Sequence, residues 1–201
     1  MIKTLIFDLG NVLVFFSFEK ILSQVSTLTG LPSQAIHELL IRQELQGAYE
    51  SGKVSSENLY RTFLEEAHKP FTSQEFFHAA SDIFIPNEPI FPLLKALKKQ
   101  GYRLVLLSNT NAAHFDFLTP RLPILDLFDE KILSFEVGVL KPHPKIYSAA
   151  IAAAKCPPQN CFYIDDIPEY VVAARTHGID AEVFTDVPSL QAHLKKRQLS
   201  V

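Results

Sequence analysis

An α/β fold, a doubly wound parallel sheet with a small all-helical cap inserted after the first strand, is predicted by three observations. Short apolar runs without polar alternation recur as Leu5-Ile6-Phe7, Leu104 to Leu107 and Phe162 to Ile164, and strands apolar on both faces belong inside a parallel sheet. Helical patterns separate the later runs, which is the strand-helix alternation of an α/β core. Between the first run and the second lies a long stretch, residues 17–85, that reads as mostly helical. The core is therefore placed at residues 1–16 and 86–201, and the cap at 17–85.

At 201 residues the chain can hold one main domain with room for an inserted subdomain. Hydrophobic residues make up 47% and charged ones 20%, values of a folding globular chain and not of a disordered one. The formal net charge of −3 supplies no basic field for a nucleic-acid backbone, so a small molecule is the expected partner and nucleic acid is not. No apolar run reaches membrane-spanning length. The N-terminus has one lysine and a strand-length run interrupted by Asp8, too short and too acidic for a signal peptide. Cys156 and Cys161 match no usual zinc or redox spacing and read as reduced, packed thiols. A cytoplasmic protein is expected, with its oligomeric state open.

In chain order, Leu5 to Phe7 is the first strand and ends on Asp8, where Gly10 permits backbone conformations closed to other residues. Val14 to Phe18 is too aromatic for an ordinary loop, and Ser17 then caps a helix running to about Leu28. Gly30 and Pro32 break it. Ser33 caps a second helix through Leu39 to Ile41, Gly47 and Gly52 mark a turn, and Ser55 or Ser56 starts a third helix that buries Leu59, Phe63 and Leu64. Thr72 with Glu75 fits a capping box for a fourth helix across Phe76, Phe77, Ala80 and Ile83.

The core resumes with Pro89 and Pro92 in the first turn of a helix that buries Leu93, Leu94 and Leu97 and stops at Gly101. Tyr102 to Leu107 is the next strand, ending in the polar cluster Ser108-Asn109-Thr110-Asn111. Ile132 to Ser134 reads as a short strand, and Gly138 to Pro142 as a loop into a helix that begins at Pro144. Phe162 to Ile164 ends on Asp165-Asp166 before a helix closed by Gly178; a strand over Ala181 to Phe184 and a helix over Pro188 to Lys195 complete the chain. Lys195-Lys196-Arg197 reads as a solvated turn.

The polar groups at these strand ends, or in the loops after them, are Asp8, Ser108 with Asn109, Lys141, Asp165 and Asp166. In open parallel sheets, ligands bind beyond the carboxyl ends of the strands. A phosphate monoester needs a nucleophile, neutralisation of its oxygens and, as a rule, a divalent cation held by hard oxygen ligands. Asp8 fits the nucleophile, Lys141 and Ser108 the contacts to phosphoryl oxygens, and the acidic residues a cation. Singly, each has a plainer reading: Asp8, Ser108 and Asp165 as caps of turns or helices, Lys141 as a solvated loop charge.

The four segments FDLGNVL, LLSNTN, GVLKP and FYIDD, in this order and across the whole chain, resemble the haloacid dehalogenase superfamily of phosphatases. The resemblance implies a Rossmann-like core, an aspartyl-phosphate formed on Asp8, a transferring group held by Ser108, Asn109 and Lys141, and Mg²⁺ bound by Asp8, the Gly10 carbonyl, Asp166 and Asp165. Asp165 is either a ligand or a supporting partner. The helical insert is similar to the family's cap, which closes over the site and selects the substrate, and members with an Asp-Leu-Gly-Asn pattern resemble sugar-phosphate phosphatases.

One departure stands out. Most phosphatases that the chain resembles carry a second aspartate, as general acid and base, at the position of Gly10. General acid catalysis supplies about 10²–10⁴-fold and matters least for weakly basic leaving groups, so anomeric and acyl phosphates suit such a site unless His143 or a cap residue provides the proton. Two alternatives to the phosphatase reading stand beside it: a metal-independent dehalogenase-type hydrolase, against which the Asp165-Asp166 pair speaks, and a catalytically silent protein that binds a phosphorylated ligand. Phe15, Phe16 and Phe18 fit either an aromatic gate or packing between cap and core.

Overall fold

A computed structural model describes residues 1–42 and 44–199; residues 43, 200 and 201, assigned above to cap and core, lie outside the described residues. Strand β1 (Thr4–Phe7) leads into a second strand, β2 (Val14–Phe16). Five helices follow: α1 (Phe18–Thr29), α2 (Ser33–Arg42), α3 (Leu45–Glu50), α4 (Ser56–Glu66) and α5 (Ser73–Ser81). Strand β3 (Phe84–Pro86) then pairs antiparallel with β2. The chain continues through α6 (Phe91–Lys99), β4 (Arg103–Ser108), α7 (Ala112–Leu118), β5 (Glu130–Leu133), α8 (Ser134–Val137) and α9 (Pro144–Ala154). It ends with β6 (Cys161–Asp165), α10 (Pro168–Thr176), β7 (Asp180–Val183) and α11 (Val187–Lys196).

The main sheet is parallel with strand order β5-β4-β1-β6-β7. β1 lies at its centre and is buried along its length because both faces are covered. Leu5 and Phe7 join Leu104 and Leu106 on one face, under α6 and α11. Ile6 joins Val105, Leu107 and Tyr163 on the other, under α9 and α10. The strands added after β1 go first to one side and then to the other, which makes the end of β1 the topological switch point where such sheets bind ligands. The helices between β2 and β3 build a separate apolar cluster around Val25, Ile36, Phe63 and Phe76.

Local chemistry explains most element ends. Ser17, Ser55 and Thr72 cap α1, α4 and α5 through their side chains, and Thr72 with Glu75 forms the reciprocal capping box. Several expectations need correction. Gly47 lies inside α3 and not in a turn. Leu64 is exposed, because Leu59 and Phe63 already supply the inward face of α4. Ile83 is buried but follows the end of α5. Arg197 is not solvated: its guanidinium donates to Asp180 at 2.7 Å and to Glu182 at 2.9 Å, and covers the ring of Phe162. Gly52 is required where it stands, since its φ is +67° and an added Cβ would lie 2.2 Å from the Phe135 carbonyl oxygen. That contact seats the end of α3 against α8.

Candidate active site

Four strand ends and loops bring the site together. β1 delivers Asp8, whose N–H still donates to the Ile164 carbonyl at 3.0 Å, so the residue stays in line with the strand. β4 delivers Ser108, the loop before α9 delivers Lys141, and β6 delivers Asp165 followed by Asp166. The Lys141 ammonium is almost fully buried, 2.9 Å from Asp8 Oδ1 and 2.6 Å from Asp165 Oδ2, and it also donates to the Leu107 carbonyl at 3.2 Å. It is thus no solvated loop charge. Asp165 is engaged through both oxygens: Oδ2 accepts from Lys141 and from the Tyr163 hydroxyl, and Oδ1 accepts from the Ile167 N–H at 2.9 Å. Its geometry suits holding Lys141 in place.

The electrostatics follow from burial and like charge. Burial pushes the Asp8 carboxyl up to about 7; Lys141 pulls it down by less, and Asp165 adds repulsion. Burial opposes the charge of Lys141, yet Asp8 and Asp165 together hold it above its ordinary range. One oxygen from each of Asp8, Asp165 and Asp166 lies within 4.8 Å of the others. Asp8 and Asp165 flank the Lys141 ammonium and Asp166 brings a further carboxylate beside them, and hard oxygen donors of this kind fit a small divalent cation such as Mg²⁺.

The surrounding residues hold this arrangement. Asn11 adopts φ 53°, a left-handed conformation that asparagine tolerates, and its amide donates to Asp166 Oδ2 at 2.9 Å. Gly10, by contrast, lies outside the left-handed region, so the turn does not need glycine on backbone grounds as expected above. Space restricts it instead, for an added Cβ would stand 3.1 Å from Phe16 Cε1. The Phe16 ring is half-exposed and can yield. Gly10→Ala should therefore cost about 1 kcal/mol, at the low end for overpacking, and lower the Tm by roughly 2–4 °C. A fall well beyond 10 °C in a thermal melt would show that the backbone does require glycine.

Asn109 clamps the Lys141 backbone, accepting from its N–H at 2.7 Å and donating to its carbonyl at 3.2 Å, which gives its amide a positioning role. The Ser108 hydroxyl makes one long contact, donating to the Asn109 carbonyl at 3.4 Å, a weak bond that a better acceptor can displace. The Tyr170 ring centroid lies 5.0 Å from the Lys141 ammonium, a cation–π contact. His143 caps α9, accepting from the Lys145 N–H at 3.2 Å, and lines a different cavity from Gly10 and Ser108. Phe16 and Phe18 both line the cavity over the strand ends. Sequence reasoning missed Tyr163. The period-two rule places it on the same face as Asp165 and would have found it.

Comparison with known proteins gives a consistent family. The model of haloacid dehalogenase-like hydrolases matches residues 2–178. A sesquiterpene phosphatase of Aspergillus oryzae is 27% identical over 198 residues, covering 98% of this chain and 96% of its own. A D-ribitol-5-phosphate phosphatase of Bacteroides thetaiotaomicron is 28% identical over 179 residues, or 83% and 84% of the two chains. Among solved structures, a haloacid dehalogenase-like family hydrolase of Porphyromonas gingivalis superposes with a TM-score of 0.83 at 28% identity, covering 97% of this chain and 98% of the other. A magnesium complex of a haloacid dehalogenase family enzyme from Bacteroides thetaiotaomicron gives 0.81 at 26% identity, covering 94% and 98%.

Proposed function

Since the chain belongs to the haloacid dehalogenase-like hydrolase family, we propose that it is a Mg²⁺-dependent phosphatase acting on a small phosphorylated metabolite through an aspartyl-phosphate on Asp8. The observation that carries this reading is a buried Asp8 within 2.9 Å of Lys141 and within metal-ligand reach of Asp165 and Asp166. Asp8 attacks phosphorus, Lys141 and Ser108 hold the non-bridging oxygens, and water then cleaves the aspartyl ester. Asp8, Asp166 and the Gly10 carbonyl would hold the ion. Asp165, with its oxygens already engaged, supports Lys141. Bound Mg²⁺ would neutralise the charge that gathers on the transferring phosphoryl group. The helices of residues 17–85 serve as a cap that closes the site from above, with a wall of Phe18, Ile21, Gln46 and Glu50.

For the substrate, two compound classes are in view. A sugar phosphate follows from the Asp-Leu-Gly-Asn resemblance and from the relative that acts on D-ribitol 5-phosphate. The cavity, with Leu9, Phe16, Ile83 and Phe84 in its wall beside Gln46, Glu50 and Asn109, also admits a phosphate ester with an apolar skeleton. A screen across both classes separates them.

Hydrolysis of p-nitrophenyl phosphate should disappear on EDTA treatment and return on adding Mg²⁺. Turnover that survives complete metal removal would rule out the Mg²⁺ dependence, and metal-independent halide release from a 2-haloacid would favour the dehalogenase-type hydrolase instead. Phosphate binding without turnover, at enzyme concentrations high enough to detect slow catalysis, would favour the silent binding protein.

A further inference from the structure

Gly10 has no side chain that could protonate the departing oxygen, yet Glu50 lines the same cavity from the other side. This cavity, of about 100 Å³, is bounded on the core side by Gly10, Ser108 and Asn109 and on the cap side by Gln46 and Glu50 of α3. Ser108 links this space to the Asp8 and Lys141 side chains, so an ester whose phosphoryl group was held there would have its alcohol portion in reach of this space. Two titratable side chains line it, Glu50 and His114.

His114 is occupied. Its backbone N–H donates to Asn111 Oδ1 at 3.0 Å, which turns the Asn111 amide nitrogen toward the ring at 3.1 Å and makes Nδ1 an acceptor. Its Nε2 must then donate to the Ala80 carbonyl 3.2 Å away, since that oxygen can only accept. Burial pushes the imidazole down to about 4, so it stays neutral. Transferring a proton would break one of these bonds.

Glu50 is in the opposite situation. One oxygen accepts from the Gln46 amide at 2.9 Å, and no ion pair reaches the carboxyl among the described residues. Burial raises it above the ordinary glutamate range, against the pull of Gln46. Its own backbone is fixed: the Glu50 carbonyl accepts from Ser134 Oγ at 2.6 Å, and Gly52 lies against Phe135. An apolar chamber of about 70 Å³ on its other side shares Phe18, Ile21, Gln46 and His114 with the first cavity. The titratable groups of that chamber besides Glu50 are His114 and Tyr49, whose hydroxyl is hydrogen-bonded to Ser56 Oγ at 2.9 Å.

Resting on the phosphatase reading, we propose that Glu50 of the cap is the general acid and base of this site, taking the part for which Gly10 has no side chain. As an Asp8 oxygen bonds to phosphorus, the ester P–O bond breaks, and its electron pair stays on the leaving oxygen. That oxygen takes the Glu50 proton and departs as a neutral alcohol. In the second half, the Glu50 carboxylate takes a proton from the water that attacks phosphorus. The bond between phosphorus and Asp8 then breaks, releasing phosphate and restoring both side chains.

The test compares p-nitrophenyl phosphate, whose leaving group needs little protonation, with a primary alkyl phosphate, whose leaving group needs it most. Glu50→Gln should lower kcat/KM on the alkyl ester by about 10²–10⁴-fold, and by at least roughly tenfold less on p-nitrophenyl phosphate. In the wild type, kcat/KM on the alkyl ester should fall as pH rises through the raised Glu50 pKa, because an acid acts only while protonated. That limb should vanish in Glu50→Gln. It should move to higher pH in Gln46→Leu, which removes a donor that stabilises the carboxylate.

If Glu50→Gln does not fold, Glu50→Asp retains a proton and should keep the limb at a reduced rate. Equal losses on the two esters with an unchanged pH profile, or full activity on the alkyl ester, would overturn the assignment. Absence of wild-type turnover of both esters in Mg²⁺ would overturn the phosphatase reading itself, whatever Glu50 does.

Discussion

Asp8→Asn is expected to lower turnover of p-nitrophenyl phosphate by a factor on the order of 10⁴ or more, because an amide of nearly the same shape is a poor nucleophile. The fold should survive the change. Burial raises the Asp8 carboxyl to about 7 in the folded chain against an ordinary value of 3.8. A raised folded pKa means that the contribution of this group to stability is fully present below pH 3.8 and is lost as pH rises through about 7. At neutral pH without metal, folding therefore works against the ionised Asp8, and the asparagine variant should melt at the same temperature as the wild type or higher. Circular dichroism melts in EDTA, paired with steady-state assays in Mg²⁺, check both halves. Substantial turnover in Asp8→Asn would sink the assignment of the nucleophile.

Lys141→Ala is expected to damage both activity and stability. Its ammonium is the cation between two buried carboxylates, at 2.9 Å from Asp8 and 2.6 Å from Asp165. Removing one partner from a buried pair typically costs about 3–5 kcal/mol, since the remaining charge has neither water nor a counter-ion. At roughly 2–4 °C per kcal/mol for a chain of this size, the Tm should fall by roughly 6–20 °C. Turnover should fall by about 10²–10³-fold, because the charge on the transferring phosphoryl group loses a fixed donor. Mg²⁺ should recover part of the stability and little of the rate, since an ion among the acidic residues can neutralise their charge but cannot replace a donor at the Lys141 position. Near-normal kcat/KM in a folded Lys141→Ala protein would remove this residue from the catalytic site.

The α/β class, the buried central strand and the residues that gather at its end are legible in the amino-acid sequence. Apolar runs without alternation can be satisfied only by strands covered on both faces, and a polar residue that ends such a run must then lie at the rim of the sheet. That logic places Asp8, Ser108, Asp165 and Asp166 at the carboxyl ends of their strands. Caps were legible for the same local reason, since Ser17, Ser55 and Thr72 bond to N–H groups within three residues. Tertiary structure alone decided the rest. The β2–β3 ribbon joins residues some seventy positions apart and carries three residues per strand, too few for a periodic pattern. Gly47 reads as a turn locally, but α3 continues through it. Asn109 faces the Lys141 backbone, and Arg197 bridges to β7, because of distances between segments that no local pattern encodes. Glu50 is illegible locally for the same reason: in the sequence it is one more charge on a short helical stretch, and only the packing of α3 beside the strand ends sets it in the wall of the cavity that Gly10 also lines.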